Sequence, residues 1–297
     1  MHKNIKYLFI INPIAGVKKQ ERIVSAIEKH FQNSNCYAIY FAKDKTAAEE
    51  EIKTAVSKNI PYIIAVGGDG TVNIVSKYLA NSDSILGIIP TGSGNGLAHF
   101  LKIPFKLNKN LKALEKGTYH YIDSATINNQ AFISIAGIGF DAYIAALFNQ
   151  SKRRGFFTYL KLVIRAYFRY KEQEYSFIAD GKSYKRKAFL ISFANSNQFG
   201  YKTIISPIAK IDDGLLDICI VKRPSPLIAL FIWPMIFLKK FHKTKYLEII
   251  QAKEIQLKNR RNTPINIDGD SIMNKNDDIL LQVKPKSIKI IDYVLHF

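Results

Sequence analysis

Four short turns carry the residues whose types and spacing could do chemistry: Asn12–Gly16 (NPIAG), Val66–Asn73 (VGGDGTVN), Pro90–Gly96 (PTGSGNG) and Asn266–Asp270 (NIDGD). The first three each follow an apolar, strand-like run and precede a helix-like segment. Glycine in such a turn permits left-handed dihedrals and lets a ligand lie against bare backbone. Gly16 leaves a helix N-terminus able to face an anion. Gly67, Gly68 and Gly70 let backbone N–H groups approach phosphate oxygens, and Asp69 is placed to act on a Mg2+ ion through its water shell. Ligands of open parallel sheets bind beyond the carboxyl ends of the strands, so three such turns along one edge amount to a phosphate cradle. The fourth turn sets Asp268 and Asp270 on either side of one glycine. That pair could hold a metal, take a proton from an attacking hydroxyl, or simply form an Asp-Gly hairpin.

Other chemistries find no footing. The chain has no G-x-x-x-x-G-K-[ST] segment and no HRD or DFG signature of protein kinases. Its six histidines, among them His30, His99 and His242, lack metal-ligand spacing, and nothing resembles a nucleophile elbow.

The elements that must position the four turns change character along the chain. Tyr7–Ile11 reads as a strand, and Ile23, Ile27 and Phe31 lie four apart as on an amphipathic helix. A second strand, Tyr37–Ala42, leads to a helix on which Thr46 and Glu49 form a capping-box pattern. Strand 62–66, a helix from about Val72 to Leu79 and strand Ile85–Ile89 follow. Repeated strand-helix units predict an α/β domain with an open, mostly parallel sheet over residues 1–122. Beyond Asp123 the pattern turns to hairpins, one of them at Asp180-Gly181, with further strands at Leu215–Val221, Leu247–Leu257, Ile279–Val283 and Ile288–Val294. Residues 123–297 therefore predict a mainly antiparallel sheet, a β-sandwich or an open barrel, with helical insertions.

Composition bounds the partners. The 297 residues include 43 Lys and Arg against 24 Asp and Glu, a net charge of +19 that favours an anionic partner: nucleic acid, an acidic membrane surface or a phosphate-rich substrate. Cys36 and Cys219 sit in apolar runs and read as reduced core thiols of a cytoplasmic protein. The N-terminal run is too short for a signal segment and reads as the first strand. The longest apolar stretch, Pro226–Leu238, falls short of the roughly 20 residues that span a bilayer.

NPIAG, GGDGTVN, PTGSGNGLA and the later IDDGLLDICIV together resemble the diacylglycerol kinase catalytic-domain family, which contains bacterial lipid kinases, sphingosine kinases and ceramide kinases. The resemblance implies a first domain akin to phosphofructokinase and NAD kinase, a second built as a β-sandwich, and ATP in the cleft between them. It assigns nucleotide contacts to Asn12, Pro13 and Gly16, to Thr46, to Gly67, Gly68, Asp69, Gly70, Thr71 and Asn73, and to Gly92, Ser93 and Asn95. Thr46 reads equally well as a helix N-cap. KIDDGLLD looks like the family's structural Mg2+ loop, with the Asp213 side chain and the carbonyls of Lys210 and Leu215 as ligands. The family's Asp-Gly-Glu proton acceptor is Asp268, Gly269 and Asp270 here; position favours Asp270, and Asp268 stays open because Asp replaces the usual Glu. The third turn is closer to the sphingosine and ceramide kinase version.

The resemblance implies a Mg2+-dependent lipid kinase that uses ATP to phosphorylate a hydroxyl of a diacylglycerol or a sphingoid or ceramide-type lipid. Ser151–Lys171 and Pro226–Phe241 mix basic, aromatic and aliphatic residues, and read either as contacts with an anionic membrane surface or as core helices of the second domain. No nucleic-acid motif is present, so that partner is not expected. A cytoplasmic, peripherally membrane-associated protein is the expectation, with homodimer formation left open. Two rivals remain: an NAD kinase-like phosphotransferase, and a non-catalytic basic membrane- or lipid-binding protein.

Overall fold

The computed structural model describes residues 5–12, 17–32, 34, 36–92, 94–151, 156–200, 203–237, 240–258 and 261–293. Two compact units emerge, Met1–Ile122 with Lys286–Phe297, and Asp123–Pro285.

The first unit holds β1 (Tyr7–Ile11), α1 (Val17–His30), β2 (Tyr37–Phe41), α2 (Lys45–Ser57), β3 (Tyr62–Gly67), α3 (Asp69–Leu79), β4 (Ile85–Pro90), α4 (Gly96–Phe100) and α5 (Leu107–Lys116). β1 and β3 are buried at every position, as strands covered on both faces must be, and this is why their sequences are unbroken apolar runs. β2, β1, β3 and β4 are parallel neighbours in that order, and α1, α2 and α3 supply the crossovers that parallel pairing demands.

The second unit follows with β5 (Tyr119–Ile127), whose first residues belong to the first unit, then β6 (Gln130–Phe132), β7 (Ile135–Gly139), α6 (Phe140–Gln150), α7 (Phe156–Arg169), β8 (Gln173–Ala179), β9 (Lys182–Ala188) and β10 (Leu190–Ala194). It continues through β11 (Gln198–Gly200), β12 (Thr203–Ile204), β13 (Leu216–Val221), α8 (Pro226–Phe237), β14 (Leu247–Ala252), β15 (Glu254–Lys258), β16 (Pro264–Ile267), β17 (Asp270–Met273) and β18 (Asp278–Ile291). One antiparallel sheet runs β14-β13-β10-β7-β16-β17. The facing layer contains β8, β9, β15 and the first part of β18, also antiparallel. Strand alternation turns Tyr175, Phe177 and Ala179 of β8 inward to meet Ile191, Phe193, Ile218 and Ile265 of the first sheet in one core, which makes the unit a β-sandwich.

Local expectations are corrected at several points, among them the strand read at 247–257, which is two, β14 and β15. The segments read as separate strands at 279–283 and 288–294 form one strand, β18, interrupted only by Lys286 in the left-handed region (φ 49°) after Pro285. Its last part pairs parallel with β4, Lys289 opposite Ile85, and so belongs to the first unit. α3 begins at Asp69 rather than near Val72, so the glycine-rich turn is partly the helix's own first turn. α2 is capped by Asp44, not Thr46: Asp44 is extended and its carboxylate accepts from the Ala47 N–H at 2.8 Å, which leaves Thr46 inside the first turn. Asp44→Ala should therefore destabilise the protein by about 1 kcal/mol in denaturant melts, and Thr46→Ala far less. Finally, Cys219 is buried in β13, but Cys36 is only half-buried just ahead of β2, where its Sγ lies 3.2 Å from Ser34 Oγ.

Candidate active site

The parallel strands of the first unit bring Asn12, which opens the first turn, and the described residues of the second and third turns to one edge. At the carboxyl end of β1 the Asn12 N–H donates to Val66 O at 3.3 Å, and the Thr91 N–H donates to Gly67 O at 2.9 Å. The second and third turns then touch backbone to backbone. A Cβ built on Gly92 would lie 2.5 Å from Gly68 Cα, which leaves no room for a side chain there, and one built on Gly68 would press on Gly92 Cα at 3.2 Å. Gly67 is equally constrained, for its Cβ would meet Thr71 Oγ1 at 2.2 Å. Gly68 caps α3 with no side-chain hydrogen bond, and its carbonyl accepts from Thr71 and Val72. The helix thus opens on bare peptide groups, with Asp69 as its first residue. Asn73 lies half-buried one turn on. Asn95 is buried in the left-handed region (φ 51°), and its Nδ2 donates to Gly92 O at 2.6 Å, closing the third turn on itself. Pro13, Gly16 and Ser93 lie outside the described residues.

A pocket of about 120 Å3 opens beside this edge, lined in part by Asn12, Thr71, Lys43, Asp44 and Lys45. Thr46 is exposed and falls between the lining residues Lys45 and Ala48 without being one of them. The two lysines were missed in the sequence. They flank the Asp44 cap in the turn after β2, and a basic residue on each side of an N-cap is the signal that could have found them.

The fourth turn belongs to the second unit and is held from both sides. Asp268 (φ 48°) and Gly269 (φ 93°) are left-handed, as a tight two-residue hairpin requires. The Asp268 carboxylate accepts from three consecutive backbone groups, Ile133 N, Ser134 N and Ile135 N, at 2.9, 2.9 and 2.8 Å. On the other side, Asn266 Oδ1 accepts from Gly269 N at 3.0 Å, while its Nδ2 donates to Asp141 Oδ2 at 2.9 Å. Asp141 in turn lies against Gly137, where any Cβ would come within 1.9 Å of its carboxylate. Asp270 opens β17 and is exposed. The hairpin therefore fixes Asp268 in place and presents Asp270 outward.

Burial pushes the Asp141 carboxyl up from its ordinary 3.8 to about 6, against the opposing pull of the Asn266 hydrogen bond. Charging this group opposes folding; the cost is absent below pH 3.8 and reaches full size as the pH rises through 6. Asp141→Asn keeps an acceptor for Asn266 and removes that cost. It should stabilise the protein at pH 8 by up to about 3 kcal/mol, with the difference closing toward pH 4 in paired denaturant melts.

The same unit carries the 210–215 loop. Asp213 Oδ1 accepts from Leu215 N at 3.1 Å, and Asp123 Oδ2 accepts from Gly214 N at 2.7 Å. Asp123, which the sequence marked only as a change of pattern, adds a second carboxylate to the loop. Its carbonyl and that of Ile133 both accept from Asn195 Nδ2, at 3.0 and 2.8 Å. An unbroken hydrogen-bonded path thus runs from this loop through Asp123, Asn195 and the 133–135 backbone to Asp268. Among the described residues no group of three or more His, Cys, Asp and Glu side chains could cage a metal. One or two carboxylates completed by backbone carbonyls give an oxygen-only donor set, which fits a hard cation such as Mg2+.

Comparison with known proteins decides the family. Residues 6–127 match the model of the diacylglycerol kinase catalytic domain, and residues 134–292 that of the YegS C-terminal NAD kinase beta sandwich-like domain. The chain belongs to the diacylglycerol kinase catalytic-domain family. As a member it is a lipid kinase. Among its relatives are the diacylglycerol kinases of Bacillus subtilis, 26% identical over 88% of each chain, and of Staphylococcus aureus strain RF122, 27% identical over 88% of this chain and 84% of that one. An uncharacterized protein of Synechocystis is 31% identical over 45% of this chain, a match that spans 33% of its own length. The fold is shared with a crystal structure of a diacylglycerol kinase from Bacillus anthracis strain Sterne, with a TM-score of 0.75, 24% identity and 96% of both chains covered.

Proposed function

We propose that this family member transfers the γ-phosphoryl group of ATP to a hydroxyl of a diacylglycerol or a sphingoid or ceramide-type lipid, with Mg2+ as cofactor. The observation that carries the reading is the Gly68–Gly92 contact at the strand ends, beside a helix that starts on bare backbone. Peptide N–H groups there can hold phosphate oxygens with no side chain intervening, and the positive end of the α3 dipole favours the negative charge. Asn12 and Thr71 line the adjoining pocket, and Lys43 and Lys45 add cationic charge to it. Asp69 would meet a nucleotide-bound Mg2+ through water, and Asp213 with the carbonyls of Lys210 and Leu215 would hold a structural one. Mg2+, when bound, neutralises charge on the phosphate oxygens during transfer.

In the reaction the lipid oxygen bonds to the γ-phosphorus, the bond to the ADP oxygen breaks, and the hydroxyl proton passes to a base. Asp270 suits that role because it is exposed, whereas the Asp268 carboxylate is engaged by three amides. Asp268 and Asn266 then act by holding the hairpin that presents Asp270. A lipid alcohol must be met at a bilayer, and no helix among the described residues is long and apolar enough to cross one, so the reading has the enzyme work from the surface. The resemblance of PTGSGNG to the sphingosine and ceramide kinase version of this turn supports including sphingoid and ceramide-type acceptors. The test is incubation with γ-labelled ATP, fractionated lipids and NAD. The expected product is a labelled lipid phosphate monoester; label recovered only in NADP, or in no lipid fraction, would overturn the proposal.

A further inference from the structure

Helix α7 has two apolar faces where a surface helix ordinarily has one. Tyr159, Val163, Ala166 and Tyr167 pack inward on Phe140, Ile144 and Phe189. Phe157, Ile164 and Phe168 are 84, 47 and 65% exposed. At 3.6 residues per turn these three fall within an arc of about 40° on the helix surface. Lys161, Arg165 and Arg169, all exposed, occupy the adjoining arc of about 80°. Neither α7 nor α8 contains an acidic residue.

The start of α8 adds to this surface. Leu227 and Phe231 are 75 and 76% exposed, one turn apart, while Ile232 beside them is buried. The end of α7 is tied to the segment leading into α8, for Arg223 Nη2 donates to Tyr167 O at 2.8 Å and the Tyr167 hydroxyl donates to Pro224 O. The Arg223 guanidinium also lies over the Tyr167 ring, 5.0 Å from its centre. Phe168 and the first turns of α8 therefore share one end of the second unit.

We infer that the outer face of α7 and the first turns of α8 form the surface on which the protein docks to a bilayer containing anionic lipid. Large apolar side chains left in water beside a row of cations match the two layers such a bilayer offers, acyl chain below and phosphate above. A second copy of the chain fits less well, because a two-fold contact through this face would set Lys161, Arg165 and Arg169 near their own counterparts. The inference deepens the lipid-kinase reading and rests on it for its purpose; vesicle binding without nucleotide, however, is measured apart from turnover, so each can fail alone.

The experiment is co-sedimentation of the protein with vesicles of phosphatidylcholine alone or mixed with phosphatidylglycerol, beside analytical ultracentrifugation without lipid. Binding is expected on the mixed vesicles and should weaken on phosphatidylcholine alone. Phe168→Ser and Phe231→Ser should each weaken it about tenfold, given the apolar area they withdraw. The triple variant Lys161→Gln, Arg165→Gln, Arg169→Gln should weaken it about a hundredfold. All five side chains are exposed, so thermal melts should match wild type, and phosphorylation of dispersed short-chain diacylglycerol should persist. Undiminished vesicle binding by the variants, no binding by wild type, or a wild-type dimer that these substitutions dissociate would overturn the inference.

Discussion

Asp270→Asn is expected to reduce turnover about 1,000-fold, within the range that a positioned general base contributes, and to leave the fold intact. The side chain is exposed at the start of β17, so removing its charge disturbs no packing. Asp268→Asn should behave differently. Its carboxylate accepts from three successive N–H groups, and an amide in its place brings N–H donors toward other donors. A loss of about 2–3 kcal/mol in stability is the expected result, with activity falling because the hairpin loosens. Measuring kcat and the melting temperature of both variants separates base from scaffold. Wild-type turnover by Asp270→Asn would remove Asp270 from the mechanism.

The second large effect concerns the touching glycines. In Gly92→Ala the new Cβ meets Gly68 Cα at 2.5 Å and Gly68 N at 3.2 Å, contacts with backbone that cannot rotate away. The two turns must separate, so ATP affinity should drop at least about tenfold, together with stability; each tenfold corresponds to about 1.4 kcal/mol. Gly70→Ala provides the counterpart. Its Cβ meets nothing within 4 Å, and it lies within α3, where alanine is favoured over glycine by about 1 kcal/mol. The protein should therefore gain stability, yet bind ATP more weakly, because the methyl group occupies space a phosphate needs. Calorimetric titration with ATP and thermal melts on both variants provide the check. Unchanged ATP affinity in both would mean that the turns hold no nucleotide.

What could be read from the sequence depended on how far each residue's partner lay along the chain. β1, β3 and β4 were legible because strands buried on both faces leave continuous apolar runs, and the Asp180-Gly181 hairpin because its signal is two residues long. The glycine turns showed themselves by composition, although the Gly68–Gly92 contact needed the parallel register of β3 on β4. Asp141 and Asn195 left no local sign: Asp141 meets Asn266 across 125 positions, and Asn195 meets Asp123 across 72. Thr46 misled because the pattern T-x-x-E fits a capping box, while the competing cap, Asp44, stands two residues earlier between two lysines. Of the two readings of 151–171, the core one fits a single face of α7, and the other face is exposed. Val163 and Ala166 pack in the core, and Ile164 and Phe168 do not.

The most direct measurement of the central claim is a crystal structure of the protein with Mg2+ and a non-hydrolysable ATP analogue. The account predicts phosphate oxygens about 3 Å from backbone N–H groups of the 67–71 turn and the start of α3. An analogue seated elsewhere, with those N–H groups covered by the protein's own side chains, would contradict it.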